Sequence, residues 1–240
     1  MQQRYYLDPY QTQLDTQVVR HHAGGVVLAD TICYPQGGGQ PGDSGELILA
    51  DGTRLAIEDT RRDPDSGDIL HLLPDNAQFP TSGSAVRVEI DWPRRHRHMR
   101  MHTCLHLLSE VIPIEVTGGN LNASSARLDF NLPEGVELDR LDIETRLNQM
   151  IEEDHAVEMQ MIPSEELRTQ PELIASMALP PPLDKPEVHL VAIHGISLEP
   201  CGGTHVRHTA EIGRMLVKKI ENKGKRNKRV IVAFADDDHA

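Results

Sequence analysis

The sequence predicts an α+β protein: a small antiparallel β-barrel over residues 1–92, then an α+β core over residues 93–240. Three observations carry this prediction. Short apolar or alternating runs fill the first ninety-odd residues, separated by turn-forming Gly, Pro, Asp and Asn. Trp92-Pro93 then breaks the rhythm and a basic stretch follows. From Met99 onward the hydrophobic period becomes helical, and helices and strands mix thereafter.

In the first domain the strand candidates are Tyr5-Tyr6-Leu7, Thr16–Val19, Gly25–Leu28, Thr31–Tyr34, Glu46–Leu49, Arg54–Glu58, Ile69–Leu72 and Ala85–Ile90. Short strands at this spacing read as a barrel or sandwich. In the second domain Met101, Leu105, Leu108 and Ile112 form an apolar stripe, so Met99–Ile112 reads as a helix ended by Pro113. Gly118-Gly119-Asn120 reads as a turn and Ala126–Phe130 as a strand. Leu138–Asp154 reads as an amphipathic helix burying Leu141, Leu147, Met150 and Ile151. Val157–Ile162 is a strand, Ser164–Leu167 starts a short helix with a capping-box pattern, and Val188–Ile193 is a strand. Glu211–Glu221 and Arg229–Phe234 read as strands flanking a Lys/Gly/Asn-rich turn.

The chain of 240 residues can bury a core without disulfides. Its three cysteines, Cys33, Cys104 and Cys201, are odd in number and far apart, which points to a reducing compartment. The first residues lack the apolar region of a secretory signal, and no stretch approaches the ~20 apolar residues of a membrane span. A soluble cytoplasmic protein is expected, with no membrane association and no stable protein partner. The formal charge of -13 opposes general nucleic-acid binding. The charge is uneven, however. Arg94–Arg100 holds four arginines and no acid, and Arg214–Arg229 holds eight Lys/Arg and one acid, Glu221. Such patches are either solvated surface or local contacts for a phosphate backbone.

Two motifs carry the chemistry. His102-Thr103-Cys104-Leu105-His106 places two imidazoles one helical turn apart, and Cys201-Gly202-Gly203-Thr204-His205 places a thiol and an imidazole across two glycines. Together they form a tetrahedral set for Zn2+. The glycine pair is expected to permit the sharp path between Cys201 and His205. Cys104 lies about 200° round the helix from His102 and should face away as a core thiol. His208 is the best candidate to contact the ligands from outside; His96, His98, His155 and His194 read as surface or, at most, as such outer contacts. A metalloprotease would need HExxH, but Thr103 stands where its Glu belongs. A zinc nucleobase deaminase would need C-x-x-C after Pro200, which is lacking.

HTCLH paired with CGGTH resembles the editing domain of alanyl-tRNA synthetase and its free-standing AlaX relatives. A related zinc core occurs in threonyl-tRNA synthetase. The run Tyr34–Gly45 is similar to the glycine-rich YPxGGGQPxDxG segment of the barrel in larger AlaX proteins. Ala126–Phe130 resembles the RxDF strand of the editing core, and Lys218–Lys228 its basic hairpin. No class II aminoacylation core fits before residue 93.

The resemblance implies a zinc-binding editing core that hydrolyses the ester of tRNA(Ala) mischarged with serine, and secondarily glycine. The implied metal ligands are His102, His106, Cys201 and His205. The attacking water is either bound by the zinc or beside it. Gly37, Gly38, Gly39, Gln40 and Thr103 are the implied substrate contacts, each with a plain alternative as a turn or a bracing group. Lys218, Lys219, Lys223, Lys225, Arg226 and Lys228 are the implied tRNA contacts. Two other readings stand beside this one: a non-catalytic zinc-stabilised RNA-binding module, and editing of a different aminoacyl-tRNA.

Overall fold

The structure, a computed structural model, describes residues 2–22, 24–177, 180–224 and 226–239. The chain divides into two compact units, Met1–His98 and Met99–Ala240.

The first unit is built on a seven-stranded antiparallel sheet. Its strands are β2 (Gln13–His22), β3 (Gly25–Leu28), β5 (Gly45–Leu49), β6 (Arg54–Ile57), β7 (Asp59–Arg62), β8 (Ile69–Leu72) and β9 (Ala85–Ile90). They lie in the order β6-β5-β9-β2-β3-β8-β7. A small parallel pair, β1 (Gln2–Gln3) with β4 (Asp30–Thr31), accompanies it. Alternation sets the faces: Val86, Val88 and Ile90 of β9 point inward with Leu14, Val18 and Leu47. No closed barrel forms among the described residues. The sheet's end strands, β6 and β7, are separated only by Glu58, whose amide bonds to Leu72 O at 2.9 Å. One residue spans only about 3.5 Å, so the sheet curls until its two end strands lie beside each other, without pairing.

Other expectations for this unit are corrected. Tyr5 and Tyr6 lie in a 3-10 turn, Arg4–Tyr6, instead of a strand. Past β4, Ile32–Tyr34 is not strand. β7 was invisible to apolar patterning because it reads DTRR.

Helix α1 spans Trp92–Val111, seven residues longer at its start than the apolar stripe implies. Asp91 caps it: the Asp91 carboxylate accepts from Arg94 N at 3.1 Å, and Arg95 N bonds to Asp91 O at 3.0 Å. Pro93 is tolerated in the first turn, where its missing N–H is not needed.

In the second unit, Met101, Leu105, Leu108 and Ile112 are buried as the stripe predicts. One sheet has the order β10-β11-β16-β15, formed by β10 (Val116–Leu121), β11 (Ser125–Asn131), β15 (Met215–Asn222) and β16 (Asn227–Phe234). The expected Gly118–Asn120 turn is therefore strand, with a register shift between Val116 and Gly118. The other sheet is β12-β13-β14, from β12 (Val157–Pro163), β13 (Glu187–Ile193) and β14 (Ser197–Pro200).

Helix α2 (Arg140–Glu152) buries Ile143, Leu147 and Ile151, at i, i+4, i+8. Leu141 is exposed, not buried, because it lies off that face. Along the helix, polar side chains one turn apart occupy the open edge of β15. Arg140 donates to Val217 O at 3.0 Å, Glu144 accepts from Val217 N at 2.8 Å, and Asn148 bonds both Met215 N and Met215 O. An edge strand's unpaired backbone is thereby satisfied. Helices α3 (Ser164–Arg168) and α4 (Pro171–Ser176) follow β12. The capping box expected at Ser164 is absent; its hydroxyl bonds to Lys185 O. The strand expected from Glu211 starts instead at Met215, after a 3-10 turn over Thr209–Ile212. No described helix is long and apolar enough to cross a membrane.

Candidate metal centre

His102 and His106 stack on one face of α1, with ring centroids 5.5 Å apart. Cys201 follows directly on β14, and its amide bonds to His189 O at 2.9 Å, which continues the strand pairing. The segment after His205 is pinned as well: Val157 N bonds to Arg207 O at 2.8 Å and Thr209 N to His155 O at 2.9 Å. These anchors bring His205 against both helical imidazoles, with centroid distances of 4.4 Å to His102 and 5.0 Å to His106. One ligand atom from each of His102, His106, Cys201 and His205 lies within 4.8 Å of all the others. His102 and His205 are buried, while His106 and Cys201 are partly exposed.

The donor spacing fits a metal ion. Zn–N near 2.0–2.1 Å and Zn–S near 2.3 Å put neighbouring donors about 3.5 Å apart in a tetrahedron. Cys201 Sγ lies 3.5 Å from His102 Nε2 and 3.2 Å from His205 Nε2. Three imidazoles and one sulfur form a set compatible with zinc.

The shifts of two imidazoles agree with that use, whereas the raised Cys201 thiol opposes the thiolate that a metal would draw from it. Burial pushes the His106 imidazole down to about 4. His205 sits well below its ordinary value through burial, with His102 and His106 adding to the effect. Both rings are thus neutral, with lone pairs available. Burial raises the Cys201 thiol to about 11, the Gly203 amide opposing and Glu199 reinforcing the shift. The Gly203 N–H points back at the sulfur at 3.4 Å. Neither Gly202 nor Gly203 has a positive φ, so left-handed backbone freedom is not what the pair provides.

Thr103 is fully buried, and its hydroxyl lies 3.2 Å from His205 Nδ1. His208, expected to be the outer contact, faces Asp154 at 3.4 Å instead. His98 is fully buried, contrary to the surface reading, and neither ring nitrogen has a hydrogen-bond partner among the described residues. Cys104 is buried as expected, and burial raises its thiol to about 12. A cavity of about 590 Å³ is lined by Glu110, Gln160, His194, Ser197 and Glu199 among others. Glu110 lies one helical turn beyond His106, and Glu199 precedes Cys201 by two. Glu110 is raised by burial and by Glu199.

Comparison with known proteins places the chain. A family model described as the threonyl and alanyl tRNA synthetase second additional domain matches residues 188–231, the stretch holding Cys201 and His205. A second, described as tRNA synthetases class II (A), matches residues 6–94. The alanyl-tRNA editing protein AlaX-M of Methanosarcina acetivorans is 35% identical, over 97% of this chain and 98% of the relative. AlaX-M of Saccharolobus solfataricus is 33% identical, over 94% and 95%. The chain belongs to the AlaX family of alanyl-tRNA editing proteins. An alanine--tRNA ligase of Metallosphaera sedula is 31% identical over 90% of this chain, which spans 24% of that enzyme. The likeness to the ligase is thus to a part of it.

The remaining AlaX-like segments have clear local structures. Gly37–Gln40 forms a tight two-residue turn, with Gly37 N to Gln40 O at 3.1 Å and Gln40 N to Gly37 O at 2.9 Å. Gly38 and Gly39 take φ of 55° and 81°, which only glycine adopts readily. Tyr34 donates to Gly37 O at 3.0 Å, and Gln40 is buried. In the RxDF strand, Asp129 binds Arg127 at 2.6 Å and Arg229 at 2.7 and 2.9 Å, which ties β11 to β16. In the basic hairpin Lys219 and Lys223 share Glu221, at 2.8 and 2.9 Å, and Lys228 bonds Asn222. Arg226 donates to Leu132 O, and Lys218 is exposed. Lys225 lies outside the described residues.

Proposed function

We propose that this protein is a zinc-dependent trans-editing hydrolase of the cytoplasm that deacylates tRNA(Ala) mischarged with serine, and secondarily with glycine. The observation that carries this reading is the convergence of HTCLH and CGGTH into one four-donor cluster, in a chain that matches AlaX-M along 97% of its length. Such an editor answers a physical need. A pocket sized for alanine discriminates against one added hydroxyl or one missing carbon by only about 1–3 kcal/mol, so a second sieve is required.

The residues divide the work. His102, His106, Cys201 and His205 would hold the metal, with the rings of His106 and His205 kept neutral by burial. Zinc held by these four groups would have a filled tetrahedral shell, so it would order the pocket, and would act as a Lewis acid on a carbonyl or water only by adding a fifth ligand or releasing one of the four. The Gly203 amide supports the sulfur. Of the four, His106 and Cys201 are partly exposed. Gly37, Gly38, Gly39 and Gln40 belong to the same proposal as backbone contacts to the aminoacyl group. Lys218, Lys219, Lys223, Lys225, Arg226 and Lys228 belong to it as contacts to tRNA phosphates.

The test is deacylation of Ser-, Gly- and Ala-tRNA(Ala) by zinc-loaded protein, with Ser-tRNA(Thr) as a further substrate. Release of serine and glycine well above that of alanine is expected. Binding of tRNA without release above buffer would sink the enzyme reading and favour an RNA-binding module. Preference for Ser-tRNA(Thr) would assign a different tRNA.

A further inference from the structure

The hydrogen-bonding capacity of Thr103 is fully used inside the protein. A threonine hydroxyl has one donor and two acceptor sites. Three groups surround Oγ1: Met99 O at 3.0 Å, His205 Nδ1 at 3.2 Å and Val206 N at 3.3 Å. Met99 O can only accept, so it takes the hydroxyl proton. Val206 N–H can only donate, so it occupies one lone pair. The remaining lone pair faces His205 Nδ1, which must then carry a hydrogen. That assignment leaves the lone pair of His205 on Nε2, the atom 3.2 Å from Cys201 Sγ. Thr103 is 0% exposed and His205 2% exposed, so water does not offer either group an alternative partner. The bond to Met99 O, one turn back on α1, also fixes the side-chain rotamer.

From this we infer that Thr103 is a positioning residue: it holds His205 as the Nδ1–H tautomer with Nε2 turned to the metal, and it does not contact the aminoacyl group. The inference rests on the zinc reading above. Its physical basis is general, because a ligating imidazole is oriented by the acceptor that its other nitrogen meets. A hydroxyl with all three positions engaged has none left for a serine side chain.

Two variants test it. Thr103→Val keeps the shape and removes the hydroxyl; Thr103→Ser keeps the hydroxyl. Zinc affinity, measured by competition with a chelator, is expected to weaken by about 10–100-fold in the valine variant. It should stay close to the unsubstituted value in the serine variant. With zinc saturating, the ratios of kcat/KM among Ser-, Gly- and Ala-tRNA(Ala) should be unchanged in Thr103→Val. Unaltered zinc affinity, or selectivity that shifts at saturating zinc, would overturn the inference. Nitrogen-15 spectra of the zinc-loaded, unsubstituted protein decide the matter even if the valine variant does not fold. His205 with Nδ1 protonated is expected, and Nε2 protonated would overturn the inference. The affinity and spectroscopic readouts need no deacylation, so failure of the editing reading remains distinguishable.

Discussion

Arg95 on α1 grips Asp43 in the interior of the first unit. Its Nε lies 3.0 and 2.9 Å from the two carboxylate oxygens, and both side chains are almost wholly shielded, at 0% and 2% exposure. Arg95 also donates to Pro9 O and Ile32 O, and Asp43 accepts from Tyr34 N. The pair explains the Asp in the glycine-rich run and the Arg in the basic stretch as two halves of one lock. Gly42 beside it has no room for a side chain, since a Cβ would fall 2.0 Å from Thr60 O.

Removing one partner of such a pair strands the other charge. Asp43→Asn is expected to destabilise the protein by about 3–5 kcal/mol, and Arg95→Lys substantially, because an ammonium cannot reproduce the fork. Urea unfolding of each variant measures this. A loss below about 1 kcal/mol in Asp43→Asn would contradict a tightly engaged pair.

Acid should weaken the first unit through its buried histidines. Burial holds His71 and His98 down near about 4, whereas a histidine in an unfolded chain titrates near ~6.5. Between those values the unfolded chain binds protons that the folded one refuses. Stability is therefore fully present above about 6.5 and falls as the pH drops towards about 4. His71 is satisfied by Thr31 and Val26 O, but His98 has no hydrogen-bond partner among the described residues. His98→Leu should be neutral or stabilising at neutral pH and should flatten the pH dependence. An unchanged slope of unfolding free energy between pH 7 and 5 would count against it.

Metal content tests the donor cluster directly. His106→Ala and Cys201→Ala should each lose most bound zinc, measured by elemental analysis after dialysis, and a chelator should abolish deacylation reversibly. Full zinc occupancy in both variants would refute the ligand assignment.

The contact between α2 and β15 predicts a cost without any core cavity. Asn148→Ala leaves Met215 N and Met215 O without their side-chain partner and is expected to destabilise by about 1–3 kcal/mol. Thermal or urea unfolding reads this. Hydrogen exchange should show faster opening at Met215 if the contact guards that edge.

Salt dependence tests the hairpin. If its lysines meet tRNA phosphates, log affinity falls linearly with log salt, and each contact removed lowers the slope by about 1 or a little less. Lys218→Gln and Lys223→Gln should each flatten the slope while leaving zinc content unchanged. A slope that neither substitution alters would place the phosphate contacts elsewhere.

Much of this protein is legible in its residues taken in order. The AlaX resemblance rests on matched motifs, while the paired His and Cys positions, the stripe Met101–Ile112, and the strands Gly25–Leu28, Ile69–Leu72 and Ala85–Ile90 follow from spacing and alternation. Local patterns suffice there because each element's own apolar period specifies its buried face. Three features depended on partners distant in the chain. The first turns of α1 look like solvated charge, yet Arg95 is buried because Asp43 neutralises it. β7 carries no apolar pattern and becomes strand by pairing with β8. Thr103 stands in the sequence as a substrate contact or a plain helix hydroxyl, and its partner His205 arrives only a hundred residues later. Residue identity determined which atoms can bind a metal. The tertiary fold alone decided which nitrogen of His205 is free to do so, because a tautomer is set by the group that meets the ring from across the fold.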